Sequence, residues 1–248
     1  MLLLLAVALV TLFVVWVVTG VRLMLLARRT HALPEFLLGA SLLLVAAFGF
    51  PLTELSRVVP AFHTPLIAVG SLCTSLGTAL LFAFTALVFR RGERLAWVAV
   101  GTGSVLLAVQ GVGNAVSQAL ATTPEDELAA TLVWGAGSLV LTGAAWGWAS
   151  FESLREHARL RKRLPLGLAD PVVANRMLLF GGMGTIAVAC VVVDACLLYL
   201  GGESARLIFL PLTTACAGLA VSVCMVLAFW PPAAYLERVR GRLEGARA

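Results

Sequence analysis

An all-α integral membrane protein, built as a bundle of seven transmembrane helices, is the fold class this sequence predicts. Three observations predict it. First, 60% of the 248 residues are hydrophobic and only 12% are charged, against about 25% charged in a soluble domain. A soluble core of this size needs a charged surface, and these residues cannot supply one. Second, the apolar residues fall into seven runs, each long enough to cross a hydrocarbon layer, which takes about 20 helical residues. Third, the basic residues gather in alternate connections between those runs. An ordinary soluble enzyme, a disordered chain and a nucleic-acid binder with a solvent-facing basic surface are thereby excluded.

The spans are expected at about 3–26, 34–52, 62–89, 95–120, 127–152, 174–200 and 206–230. None shows the period-two alternation of a barrel strand. Within lipid each backbone N–H and C=O must be paired inside its own segment, so unbroken helices are expected. The first run, MLLLLAVALV onward, has no Lys or Arg before Arg22. A secretory leader carries a basic start and a small-residue cleavage site, so this run is expected to persist as a membrane helix. Nine of the ten prolines lie at or near span ends (Pro34, Pro51, Pro60, Pro65, Pro124, Pro165, Pro171, Pro231, Pro232), and only Pro211 enters a helix. After the fifth span, SLREHARLRKRL continues the helix beyond the bilayer until Pro165 stops it. Asp170 and Pro171 read as the N-cap and first residue of the sixth span. Pro231-Pro232 closes the seventh. Beyond it Tyr235, Leu236, Val239 and Leu243 share one helical face opposite arginines, the pattern of an interfacial amphipathic helix. Residues 1–230 are read as one transmembrane domain and 231–248 as a basic cytoplasmic tail. Any effector is expected to be a separate chain.

Charge placement sets the expected orientation. Arg22, Arg28, Arg29, Arg90, Arg91, Arg94, Arg155, Arg159, Arg161, Lys162, Arg163, Arg176, Arg238, Arg240, Arg242 and Arg247 fall on one side, 16 of the 18 basic residues. The other side holds Arg57, Arg206 and the acidic run Glu125, Asp126, Glu127. Basic residues stay cytoplasmic, which puts the amino terminus outside and the carboxyl terminus inside. Contact with the anionic inner leaflet, or with a cytosolic or membrane partner protein, is expected at Arg155, Arg159, Arg161, Lys162, Arg163, Arg238, Arg240 and Arg242. No nucleic-acid partner is implied. Trp146, Trp148 and Trp230, and more loosely Trp16 and Trp97, read as interface-belt anchors.

Polar residues inside a span are costly, so their positions carry information. The fourth span has Gln110, Asn114 and Gln118 at four-residue spacing, on one helix face. The third carries Ser71, Thr74, Ser75 and Thr78, and the fifth Thr131, Trp134, Ser138 and Thr142. The seventh has Thr213 and Thr214 early. The sixth contains one acid, Asp194, ~9 Å from its outer end at 1.5 Å per residue. Asn114 lies at similar depth, and Glu54, Arg57 and His63 mark the outer mouth. These groups share the outer half, while the inner halves are mostly Leu, Val, Ala and Phe. A ligand pocket open to the outside is expected, lined by Asp194, Asn114, Gln110, Gln118, Trp134, Ser71, Thr74, Glu54 and His63, with Arg57 or Arg206 able to reach Asp194. The competing role of Ser, Thr, Asn and Gln is to join helices. Gly143, Gly147, Gly181, Gly182 and Gly184 read as helix-packing residues.

Several chemistries find no residues to carry them. The sole lysine, Lys162, lies in a connection, so no Schiff base to retinal can form inside the bundle. His31, His63 and His157 do not pair across it, so bis-histidine haem is not expected. No cofactor, metal or catalytic residue is assigned. The cysteines, Cys73, Cys190, Cys196, Cys216 and Cys224, all sit in spans without a C-x-x-C and read as small hydrophobes. The outside-in, seven-span arrangement resembles that of opsins and receptors, a likeness of topology only. The expected function is that of a receptor-like sensor, not an enzyme, which binds a small amphipathic ligand or lipid and signals through its basic loops. Three alternatives stand beside it. One is a small-solute or proton-linked carrier of three-helix repeats, in which ARRTHALPEFLLGAS would echo RKRLPLGLADPVVANRMLLFGG. The others are a hydrolase with a metal on Glu54, His63 and Asp194, and a structural subunit. Arginine outnumbers lysine 17 to one, which points to a bacterial plasma membrane.

Overall fold

A computed structural model describes residues 2–201 and 209–244. Every regular element among them is helical: α1 (Leu2–Thr30), α2 (Leu33–Leu43), α3 (Phe50–Val58), α4 (His63–Phe89), α5 (Arg94–Leu120), α6 (Pro124–Arg163), α7 (Pro171–Tyr199), α8 (Leu210–Phe229) and α9 (Ala233–Glu244). A π-helical stretch, Leu44–Gly49, joins α2 to α3 without a break, so both belong to one span. Seven of the helical rods are long and apolar enough to cross a membrane. Residues 206–208 of the expected seventh span, Arg206 included, lie outside the described residues, as do Arg247 and the side chains of Arg57, Arg240 and Arg242.

Local chemistry explains most of the boundaries. Asp170 caps α7, its carboxylate accepting from the Val172 N–H at 2.7 Å, with Pro171 in the first turn. The acidic run before α6 forms a capping box: Thr123 Oγ1 accepts from the Asp126 N–H, and Asp126 Oδ2 accepts from the Thr123 N–H. α6 continues to Arg163, 40 residues in all, or ~60 Å at 1.5 Å per residue, about twice the hydrocarbon thickness. One expectation fails here. Pro51 does not end the second span but lies inside a continuous rod, at the start of α3. A proline ring crowds the carbonyl four residues back and removes one N–H. The chain accommodates this by widening to π geometry just before it, and the Phe50 N–H reaches Val45 O, five residues back.

Side-chain contacts fix the packing. Ser41 pairs with Gly77 across α2 and α4, Asn114 with Ser71 across α5 and α4, Ser150 with Gly181 across α6 and α7. Each of these pairs of helices is antiparallel. α1 and α8 are parallel neighbours, with Leu12 against Gly218 and Arg22 on Phe229. The first and last spans therefore adjoin, and α1, α2, α4, α6, α7 and α8 close a ring. α5 lies outside it, against α4 and α6. Among the described residues, the connections that carry Arg28 and Arg29, Arg90 and Arg91, and Arg161 to Arg163 come to one end, the arginine-rich end.

The core occupies that arginine-rich half. Leu23, Leu42, Leu81, Val100, Trp146, Met183 and Met225 belong to one buried cluster, with one residue from each span. Trp16 reaches across the ring to Trp146, centroids 5.9 Å apart, and Trp148 meets Phe82 at 6.0 Å. These three indoles therefore pack inside the bundle instead of forming an interface belt; aromatic area is used to fill the ring. Trp97 and Trp230 are exposed, 45% and 43%. Gly181 and Gly184 let α7 close on Leu154 and Ser150 of α6, as expected of small residues in a membrane interface. Gly182 faces open space. α9 docks on α7 through reciprocal Asn175–Tyr235 hydrogen bonds of 2.9 and 3.2 Å.

Candidate functional site

At the end opposite the arginine-rich one the packing opens into a cavity of about 560 Å³. Its wall is made by the π stretch and α3 on one side, α4 at the back, and α5 and α6 on the other. The two sides stay apart for a local reason. Gly49 and Gly70 draw the π stretch and α3 tightly onto α4, where an added Cβ would overlap Thr74 Oγ1 or come within 2.7 Å of Thr53 Oγ1. On the far side, Gly111 seats α5 on α4 at Ser75, where a Cβ would stand 2.8 Å from the hydroxyl. Both walls are anchored to α4, and the space between them is left.

Amides and hydroxyls cross-link the α4, α5 and α6 walls. Ser75 Oγ donates to Gln110 Oε1 at 3.1 Å, and Gln110 Nε2 donates to Trp134 O at 3.3 Å. Asn114 Nδ2 donates to Ser71 Oγ at 2.7 Å, and Gln118 Nε2 to Thr131 Oγ1 at 3.0 Å. Each amide uses only part of its capacity. Among the described residues, Asn114 Oδ1, Gln118 Oε1 and the Ser138 hydroxyl have no hydrogen-bond partner. Thr53 and Thr74 instead donate back to Gly49 O and Gly70 O on their own rod.

His63 supplies the most directional group. Its Nδ1 lies 3.1 Å from Ser56 O. A carbonyl only accepts, so Nδ1 carries the proton and, in the neutral ring, Nε2 is a lone-pair acceptor. Nε2 is buried and has no partner. The remaining wall is apolar (Val45, Phe50, Ile67, Leu128), and among the described residues Glu127 is the one carboxylate in the lining, exposed at the rim.

Of the nine expected pocket residues, Gln110, Asn114, Gln118, Ser71, Thr74 and His63 line this cavity. Glu54, Trp134 and Asp194 do not. Trp134 turns toward α5, its Nε1 donating to Ser117 Oγ at 2.7 Å and its ring lying on Gly113. Asp194 sits across the bundle, between α7 and α8, accepting from Thr213 Oγ1 at 3.1 Å and from Cys190 Sγ at 3.4 Å. Helical depth alone brought it into the expected set; depth does not say which wall of a ring a residue occupies. Glu54, His63 and Asp194 do not converge, and no group of three or more His, Cys, Asp or Glu side chains positioned for a metal occurs among the described residues.

Comparison with protein-family models, with curated proteins and with solved structures found no match. Two residues of consequence were not among the expected site residues, although Ser138 belongs to the polar face read on the fifth span. Ser138 contributes an unpaired hydroxyl to the cavity. Glu152, 4% exposed, accepts from Arg90 Nε at 2.7 Å and ties α4 to α6 at the arginine-rich end. Glu152, then Glu93, hold the Arg90 guanidinium further above its usual value by hydrogen bonding. Arg155, Arg159, Arg161, Lys162, Arg163 and Arg238 are all exposed at that end.

Proposed function

We propose that this chain is a receptor-like membrane sensor that binds a small, uncharged amphipathic molecule in the cavity between α3, α4, α5 and α6. The cavity faces the outside of a bacterial plasma membrane, and the arginine-rich end faces the cytoplasm, as the basic residues favour. One observation carries the reading. A 560 Å³ space, within the usual range for a small-molecule site, has the free amide oxygens of Asn114 and Gln118 in its wall, with the His63 side chain, whose buried Nε2 is unpaired, beside them. Unpaired acceptors in a low-dielectric wall cost free energy until a donor meets them. A ligand with hydroxyl or amide N–H groups supplies those donors, and its apolar part fits Val45, Phe50, Ile67 and Leu128. Among the described residues Glu127, at the rim, is the single carboxylate of the lining and no Lys or Arg joins it, which favours an uncharged headgroup. The π stretch in the wall supports the same reading, because such stretches recur at functional sites. The signal would pass through the exposed basic segment of α6 to a separate partner, with anionic lipid as a further contact.

Binding is tested by thermal shift of the purified protein against neutral amphipathic compounds. A hit should lose at least tenfold in affinity in Asn114→Leu and in His63→Phe. Unchanged affinity in both variants overturns the assignment. Flux of the hit in proteoliposomes would replace the sensor with the carrier alternative.

A further inference from the structure

We propose that a second, smaller cavity, at the arginine-rich end, holds the phosphate of an anionic phospholipid. It measures about 130 Å³ and lies where α1, α7 and α8 meet. Thr19, Arg22, Leu23 and Leu26 of α1, Arg176 of α7 and Phe229 of α8 line it. Two guanidinium groups thus share one small space with no carboxylate in its wall. Among the described residues neither Arg22 nor Arg176 makes an ion pair. Both side chains are exposed and therefore reachable, and an anion set between two cations with no carboxylate beside them is favoured.

Arg22 is held in place before any ligand arrives. Its Nη1 donates to Phe229 O at 2.9 Å, and its Cζ lies 4.4 Å over the Trp230 ring. That contact satisfies an orphan carbonyl at the end of α8 and leaves four of the five guanidinium donors for a phosphate, whose oxygens match that fork. Thr19 is an independent indication. It is 1% exposed, lines the cavity, and its hydroxyl has no hydrogen-bond partner among the described residues. A phosphate oxygen would supply one.

The surroundings favour a lipid over free phosphate. Arg22 lies eight residues before the end of α1, ~12 Å along the helix, and deeper than Arg28 and Arg29. Val18, Val21, Leu25 and Leu26 beside it are exposed on the outside of the bundle, an apolar strip along which an acyl chain can lie. Basic pockets between membrane helices on the cytoplasmic side are suited to such headgroups.

The test uses delipidated full-length protein in a neutral detergent, titrated with phosphatidylglycerol, phosphatidylcholine or inorganic phosphate. Binding is read by native mass spectrometry and by thermal midpoint. Phosphatidylglycerol should bind saturably, at least tenfold more tightly than phosphatidylcholine. Arg176→Gln and Thr19→Val should each weaken it, Arg176→Gln by tenfold or more. Arg91→Gln/Arg94→Gln, exposed beside the connection between α4 and α5, should leave it unchanged. Arg22→Gln also removes the contact with Phe229 and is read only beside Arg176→Gln. Equal binding by wild type and Arg176→Gln, or an equal loss in the Arg91/Arg94 variant, overturns the site. Inorganic phosphate matching phosphatidylglycerol overturns the lipid and leaves a phosphate site.

Discussion

Gly113 and Trp134 make a quantitative test of how α5 and α6 are held around the cavity. A Cβ at position 113 would fall on Cη2, Cζ2 and Cζ3 of the Trp134 ring. In Gly113→Ala the indole must swing away or the helices must part. Swinging forfeits the 2.7 Å bond to Ser117 Oγ, and hydrogen bonds inside membrane bundles are worth about 0.6 kcal/mol on average and up to about 1.7. Overpacking adds a cost of about 1–3 kcal/mol. Alanine's better helix propensity returns up to about 1 kcal/mol, so a net loss of about 1–2 kcal/mol is expected. Trp134→Phe loses the Ser117 bond but withdraws the distal ring carbons, so the Cβ meets far less in the double variant. A favourable coupling of at least about 1 kcal/mol is therefore expected, beyond the roughly 0.3–0.5 kcal/mol scatter of independent sites. Unfolding in a denaturing-detergent titration, followed by far-ultraviolet circular dichroism, measures all four corners of the cycle. A Gly113→Ala protein as stable as wild type, or strictly additive effects, would refute the packing argument. Because Gln110 Nε2 bonds the Trp134 carbonyl, Gly113→Ala should also weaken any ligand of the cavity.

Three further outcomes follow from the same geometry. Asp194→Asn should leave the affinity of a cavity ligand unchanged in a thermal-shift titration, since Asp194 is bonded to Thr213 between α7 and α8; a tenfold loss would return it to the site. Arg90→Gln should lower the thermal midpoint clearly, because it leaves the buried Glu152 carboxylate without its cation, whereas Arg159→Gln, in an exposed pair with Glu156, should not move it. Arg90→Gln/Glu152→Gln should recover part of the loss. For orientation, a cysteine at Thr122 in a cysteine-free background should react with an impermeant maleimide on intact cells, and one at Lys162 only after lysis; the reverse pattern would invert the bundle.

What could be read before folding divides along physical lines. Apolar run length is a local property, and it located the seven spans with most ends within a few residues of the observed ones, from His63–Phe89 to Arg94–Leu120. Capping is local as well, so Asp170-Pro171 was legible. Helix periodicity placed Gln110, Asn114 and Gln118 on one face, and they share one cavity. Relations between spans were not legible. Asp194 has the same depth as Asn114 but a different azimuth in the ring, and nothing in one helix encodes that angle. Trp16 and Trp146 each sit where a belt indole would sit; only their meeting across the ring makes them core. Pro51 was misplaced because run length cannot distinguish a helix that ends at proline from one that widens to pass it.

The two halves of the bundle hold together by different means, and that difference makes a cavity affordable. Between helices in lipid, burial of apolar surface contributes little drive, because acyl chains are as apolar as leucine; close packing and polar contacts must do it instead. At the arginine-rich end close packing suffices, with residues from every span in one cluster and Arg90–Glu152 closing it. At the opposite end the α4, α5 and α6 walls are joined by Ser75–Gln110, Asn114–Ser71 and Gln118–Thr131. An amide that spends one N–H on its neighbour keeps an oxygen and a second N–H for the space beside it. The groups that brace the cavity are therefore also the groups it offers to a ligand. A donor-bearing ligand that pairs with Asn114 and Gln118 should accordingly tighten the α4–α5–α6 contacts as it binds, and the protected amides in hydrogen exchange should be those of α5 and the first half of α6. Protection spread evenly over α7 and α8 as well would mean that the ligand acts on the bundle as a whole and not through these bonds.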